Sequence, residues 1–321
     1  MKKLAPVTNE EWLQVCDFNR QMVENFLNDS TELSPATIKV YDSNLKIFFV
    51  WVKDNLDNKK VIDIKPREYL RFQNWLVNRG CSSSDVNAKR AAISSLNNYI
   101  EVYYGEDYKD FRSFINRSIK RPPSHDKREK IPLTIDEFTR LIEVLEERNE
   151  HAKVAYLMFA FETGARKGEI RQLLKDVVNA TPKTDPNGKV YYETHKIRAK
   201  GRGKEGKQRT FIFSEKTMEA FRRYVETRND DCKYLFVQSV DGKVKQASQS
   251  LFNYWHKYDF DKIVGRKTWP HLLRTSRATY LSEEQKVDVK RISKLLGHSS
   301  TQTTEIYIKR KENEEIDDLL L

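Results

Sequence analysis

Between Ile115 and Thr134 the chain reads INRSIKRPPSHDKREKIPLT. The paired prolines, Pro122 and Pro123, interrupt any helix, and the mixed charges offer no apolar period that a core could use. One hydrophobic core cannot run through such a stretch. It reads as a basic linker over 119–132, joining an N-terminal domain over 1–118 to a second domain over 133–321. Its Arg121 and the lysines and arginines around it suit a crossing of phosphate backbone, and on charge alone they suit a solvated tether equally well.

The N-terminal part is helical in pattern. A first helix is expected from Thr8 to Leu27. In SPATIKVYDSNLKIFFVWVKDN, Ser34 is an N-cap and Pro35 suits the first helical position, while Ile38, Tyr41, Leu45, Phe48, Phe49 and Val52 recur on one face. IKPREYLRFQNWLVNRG repeats the pattern and stops at Gly80. A further helix starts at Ser83 or Ser84, turns Ile93, Leu96 and Ile100 inward and leaves Lys89 and Arg90 on the outer face. These segments predict a small bundle.

The second domain opens on a capping box, Thr134 with Glu137, followed by the stripe Phe138, Leu141, Ile142 and Leu145. HAKVAYLMFAFETG is apolar over most of its surface, as a central helix would be. DPNG at 185–188 is a turn signal, and KVYYETHKIRAK and KQRTFIF read as strands flanking a second turn. From SEKTMEAFRRYV onward the pattern is helical again. The fold class is therefore mainly α with a small antiparallel β-sheet (α+β). Residues 201–206 spell GRGKEG, a literal G-x-G-x-x-G, but a strand pattern follows where a dinucleotide fold needs a helix. The glycines suit a hairpin tip, whose Arg202 and Lys204 would meet phosphates.

The net charge of +11 favours a polyanionic partner, most often nucleic acid. Cys16, Cys81 and Cys232 lie far apart without a C-x-x-C pair, which argues against a zinc knuckle or a disulfide framework and fits a reducing compartment. MKKLAPVTNEEWLQ lacks the apolar run of a signal peptide, and no apolar stretch reaches membrane-spanning length. The expectation is a soluble cytoplasmic protein without a membrane partner.

Three short segments carry chemistry. TGARKGEIRQL places Arg166 after a Thr-Gly break with Glu169 three residues on, an acid able to fix the guanidinium or merely to form a surface ion pair. WPHLLRTSRATYL puts His271 and Arg274 three apart behind Pro270, where a guanidinium beside an imidazole makes a phosphate clamp with a proton acceptor. LLGHSSTQTTEIYIK places His298 nine residues before Tyr307, so that a loop can return the phenol to the histidine. A phenol with a free pKa near 10 needs cations or a base nearby to attack at neutral pH.

In this order the segments resemble the tyrosine recombinase (phage integrase) family, whose catalytic pattern is Arg, Lys, His-x-x-Arg, His, Tyr. The resemblance runs from about Ser34 to Lys309 and extends to the layout of a helical core-binding domain, a linker and a mixed catalytic domain. It implies Arg166, Lys200, His271, Arg274, His298 and Tyr307 as catalytic residues, with Lys204 the rival to Lys200 because the hairpin loop is long. Thr275 and Arg277 stand where many members have a basic and an aromatic residue, and the first 30 residues are too short for an arm-site module.

The resemblance also implies a DNA-cleaving and DNA-rejoining enzyme that forms a 3′-phosphotyrosyl link, with no metal or ATP. It implies four protomers on two duplexes, with Ile316 and Leu319–Leu321 as a candidate docking tail. Double-stranded DNA would be clamped by the bundle through Lys39, Lys89 and Arg90 on one side and the catalytic domain on the other. Two other readings stay open on the residues: a type IB topoisomerase, and a DNA-binding protein that keeps the fold without the chemistry.

Overall fold

The structure is a computed structural model describing residues 4–116, 118–123, 131–199, 201, 203 and 205–297. The chain divides into two compact units, Met1–Arg128 with Gly201–Gly206, and Glu129–Lys200 with Lys207–Leu321.

The first unit is built on helices α1 (Asn9–Leu13), α2 (Asp17–Asp29), α3 (Pro35–Asn55), α4 (Pro66–Asn78) and α5 (Ser83–Tyr103). The single helix expected over Thr8–Leu27 is broken in two. Thr8 and Glu11 form a capping box on α1, and the backbone at Cys16 then turns extended. The cause is remote: Asn58 accepts from Cys16 N at 2.9 Å and donates to Gln14 O at 2.8 Å, satisfying the backbone groups the break exposes. Ser34 and Pro35 start α3 as expected. The cap of α5 is Ser82 rather than Ser83 or Ser84, with its hydroxyl accepting from Asp85 N. Phe48 centres an aromatic core, its ring 5.0 Å from Phe72 and 6.1 Å from Phe114. The described start of the basic linker packs on this unit: Ile119 joins its core, and Lys120 O accepts from Gln73 Nε2 at 3.0 Å.

The second unit opens on α6 (Ile135–Glu147), whose Thr134–Glu137 box is formed, and α7 (His151–Thr163), buried on nearly every side as its composition requires. After the short α8 (Lys167–Ile170) come five strands, β1 (Lys183–Thr184), β2 (Val190–Glu193), β3 (Ile197–Ala199), β4 (Lys207–Arg209) and β5 (Ile212–Ser214). The two long strands expected from the sequence are each broken, so β1-β2-β5 form one antiparallel sheet and β3-β4 another. The crossover is held by Thr194, whose N donates to Phe211 O and whose hydroxyl accepts from Phe211 N, both at 3.0 Å. Asp185 Oδ1 accepts from Asn187 N and Lys189 N to close the DPNG turn.

Helix α9 (Glu215–Glu226) follows, and then β6 (Val237–Val240) and β7 (Lys243–Gln246) form a hairpin where continuous helix was expected. The signal was present in Asp241-Gly242, both with positive φ, a strong two-residue hairpin turn. Helix α10 (Gln249–Trp255) runs through a π-helical turn, His256–Phe260, into α11 (Asp261–Val264). The chain continues as α12 (Pro270–Glu283) and α13 (Val289–Leu296).

Candidate active site

Helix α7 stops because Gly164 adopts φ 61°, and a Cβ there would collide with Leu296 Cδ2. The chain reverses so that Arg166 caps α8, with Glu169 three residues on inside the helix. Glu169 is 2% exposed and holds Arg166 twice, accepting from its backbone N at 2.7 Å and from Nη1 at 3.1 Å. This is more than a surface ion pair: the carboxylate fixes both ends of the arginine. The same segment anchors the β3–β4 hairpin. Gln172 donates to Arg198 O at 2.9 Å and accepts from Arg198 N at 3.1 Å, two positions before Lys200 in the sequence.

Pro270 starts α12, leaving His271 exposed in its first turn and Arg274 one turn further in, 1% exposed. Arg274 Nη1 donates to Gly164 O and Nη2 to Leu296 O, each at 2.6 Å. One guanidinium therefore ties the turn leading to Arg166 to the end of α13, the residue two before His298. Neighbouring positions serve packing. Ser276 Oγ accepts from Leu133 N at 2.8 Å, which fastens the start of this unit. Arg277 lies 5.8 Å over the Phe161 ring, where burial lowers its pKa against the opposing pull of Glu162.

Arg209 on β4 joins this cluster. Its Nη1 donates to Leu296 O and its Nη2 to Leu295 O, both at 2.9 Å, and its guanidinium lies 4.0 Å over the Phe211 ring. Burial lowers its pKa, Glu169 opposes that shift and the charge of Arg166 adds to it, so the three side chains share one field. The available signal was the R-x-F spacing, which puts Arg209 and Phe211 on one side of an extended chain.

Lys200, Arg202, Lys204, His298 and Tyr307 lie outside the described residues. Of the expected DNA contacts, Lys39 and Arg121 are exposed. Lys89 is not on an outer face: it is 3% exposed, with Nζ 2.8 Å from Asp85 one turn earlier. Arg90 is half-buried, donating to Gln73 Oε1 and Asn116 O and lying 5.9 Å over the Tyr69 ring. Lys89 is engaged inside the bundle, because α5 is enclosed over more of its surface than its apolar positions indicate, while Arg90 stays at the half-exposed surface. No helix among the described residues is long and apolar enough to cross a membrane.

These features place the chain in a known class. The crystal structure of XerH site-specific recombinase bound to palindromic difH substrate, a post-cleavage complex, matches with a TM-score of 0.66 at 16% identity, over 99% of this chain and 97% of that one. The likeness at that identity is one of fold. Relatedness comes from sequence: residues 132–314 match the phage integrase family. The chain is 36% identical over 307 residues to the SPbeta prophage-derived recombinase-like protein YomM of Bacillus subtilis (strain 168), covering 95% of this chain and 90% of that protein. It is 28% identical over 277 residues to tyrosine recombinase XerA of Thermococcus onnurineus (strain NA1), covering 86% and 85%. The chain belongs to the phage integrase family of tyrosine recombinases.

Proposed function

We propose that this chain cuts and rejoins double-stranded DNA at specific sites through a covalent tyrosine intermediate. Tyr307 attacks a backbone phosphodiester; its oxygen bonds to phosphorus as the bond to the 5′-oxygen breaks. The phenol proton passes to His271, and Lys200, with Lys204 the alternative, protonates the departing 5′-hydroxyl. Arg166 and Arg274 donate to the non-bridging oxygens as charge accumulates, joined by His298. A 5′-hydroxyl from a second strand reverses the steps and rejoins the DNA. One ester replaces another, so the exchange consumes no ATP, and the cations on the protein supply the charge stabilisation.

The observation that supports this reading is the bridge made by Arg274. Its two bonds, to Gly164 O and Leu296 O, draw together the segments carrying Arg166, His271 and Arg274 with the one leading to His298 and Tyr307. The mixed, helix-rich unit serves the chemistry and the N-terminal bundle grips DNA with exposed groups such as Lys39 and with Arg121. Strand exchange between two duplexes requires four copies, with Ile316 and Leu319–Leu321 of the tail as the docking element, and the setting is the cytoplasm.

The test uses a duplex recovered by selecting bound sequences from a random library, nicked just downstream of the cleavage point so that the short fragment bearing the freed 5′-hydroxyl diffuses away. The wild-type chain accumulates a covalent adduct, and Tyr307→Phe binds the duplex but forms none. With intact duplexes, exchange between two molecules in a complex of four-chain mass supports the recombinase. Relaxation of supercoils by a single chain points to a topoisomerase, and tight binding with no adduct from the wild type points to a binding protein.

A further inference from the structure

The last carbonyls of a helix lack partners within it and are ordinarily met by water or a cap. At the end of α13 a glycine cap is present: Gly297, at φ 64°, donates its N–H back to Lys294 O. That leaves the carbonyls of Leu295 and Leu296, and they receive three charge-assisted bonds from two guanidiniums. Arg274 supplies one from α12. Arg209 supplies two from β4, reaching across 86 and 87 positions of sequence. Gly297 allows the approach, since a Cβ there would collide with Arg209 Nη1. Phe211 backs the guanidinium from its other side at 4.0 Å.

A chain end needing only a cap has Gly297. Two further arginines add geometry, because a planar fork on two successive carbonyls fixes both the direction of the helix axis and its rotation. The chain leaves this point directly into His298, and nine residues later reaches Tyr307.

We infer that Arg209 is a positioning residue for strand cleavage: its fork on Leu295 O and Leu296 O sets the line along which the segment carrying His298 and Tyr307 leaves α13. The inference rests on the function proposed above. Arg209 acts on the nucleophile's side of the reaction and not on the leaving group, although its strand follows the candidate general acids, Lys200 and Lys204, in the sequence.

The experiment compares wild type, Arg209→Lys and Arg209→Gln on the nicked duplex. It measures duplex affinity, the rate of covalent adduct formation and the melting temperature. Lysine keeps the charge but cannot span two carbonyls as a fork. Both variants are expected to bind the duplex within about threefold of wild type and to form adduct about a hundredfold more slowly, the scale of a misplaced reacting group. A second substrate carries sulfur in place of the bridging 5′-oxygen, a leaving group that needs no proton. It is expected to leave the Arg209 defect in place, because the defect lies in bringing up the phenol. Gly297→Ala should reproduce the slow cleavage with Arg209 intact.

Adduct formation at the wild-type rate by both variants would overturn the inference. So would a loss of affinity matching the loss of rate, full rescue by the sulfur substrate, or unfolding of Arg209→Lys, which would mark a purely structural role. Absence of adduct from the wild type would instead overturn the proposed function, and this inference with it.

Discussion

Glu169 shows how much a single carboxylate does here. It is buried, takes the backbone N–H that opens α8 and one arm of the Arg166 guanidinium, and offsets the neighbouring charge of Arg209. Removing it leaves a backbone donor without its acceptor and two guanidiniums without their counter-charge. Glu169→Ala is therefore expected to lose about 1–3 kcal/mol of stability, the cost of an unmet polar group with partial solvent access. A urea titration followed by fluorescence of the tryptophans checks it. Adduct formation should fall further than the stability loss alone explains, because Arg166 is no longer aimed. The arginine itself was legible in TGARKGE, since phosphate chemistry calls for a guanidinium and the Thr-Gly break announces a turn. The doubly bonded carboxylate was legible only as a partner at the right spacing. Arg209 was not legible as a member of the cluster, because its partners are carbonyls more than 80 positions away and carbonyls leave no mark in a sequence.

Helix starts closed by adjacent residues were mostly read correctly, although the local Asp241-Gly242 hairpin turn was missed, and elements closed by remote residues were not. Ser34 with Pro35, and Thr134 with Glu137, announce α3 and α6 because donor and acceptor lie within one turn. The break before α2 depends on Asn58, and the division of the long strands depends on Thr194 meeting Phe211, so neither could be seen in local pattern. The π-helical turn belongs to the second group. In it His256 is buried between Tyr156 Oη at 3.1 Å and Thr268 Oγ1 at 2.8 Å, and the Thr268 hydroxyl donates on to Asp261. Burial brings the pKa of His256 from 6.5 down to about 3. The folded state thus disfavours the charged ring. The contribution to stability is complete above pH 6.5 and is lost as pH falls from there towards 3, by about 1.4 kcal/mol per unit. Between pH 7.5 and 5 the unfolding free energy should drop by about 2 kcal/mol. His256→Gln, which keeps a hydrogen-bonding side chain without a titrating ring, should flatten the decline over that interval. An equally steep decline in the variant would assign it to other groups. Glu137 and Asp230, held below their usual range first by their hydrogen bonds to Arg266 and Arg228, add to acid sensitivity only at lower pH.

For the whole chain, the net charge of +11 was the first pointer to a polyanion, and it gains meaning from where the cations sit. Some are unavailable to DNA from the surface: Lys89 is spent on Asp85 and Arg209 on backbone carbonyls. Affinity must then come from exposed groups, of which Lys39 is one, so total charge overstates the number of phosphate contacts. Each neutralised phosphate releases condensed counterions, and the logarithm of the binding constant falls with the logarithm of salt at a slope of about −0.9 per contact. For about 6–10 contacts, affinity should weaken by about 10³–10⁵ between 50 and 200 mM salt. Lys39→Ala should make that slope shallower by about one unit, whereas Lys89→Met, which replaces a buried pair member with a group of similar shape, should leave it unchanged. Fluorescence anisotropy of a labelled duplex across a salt series measures both. A slope altered by Lys89→Met and indifferent to Lys39→Ala would mean that the bundle meets DNA through α5 and not through the start of α3.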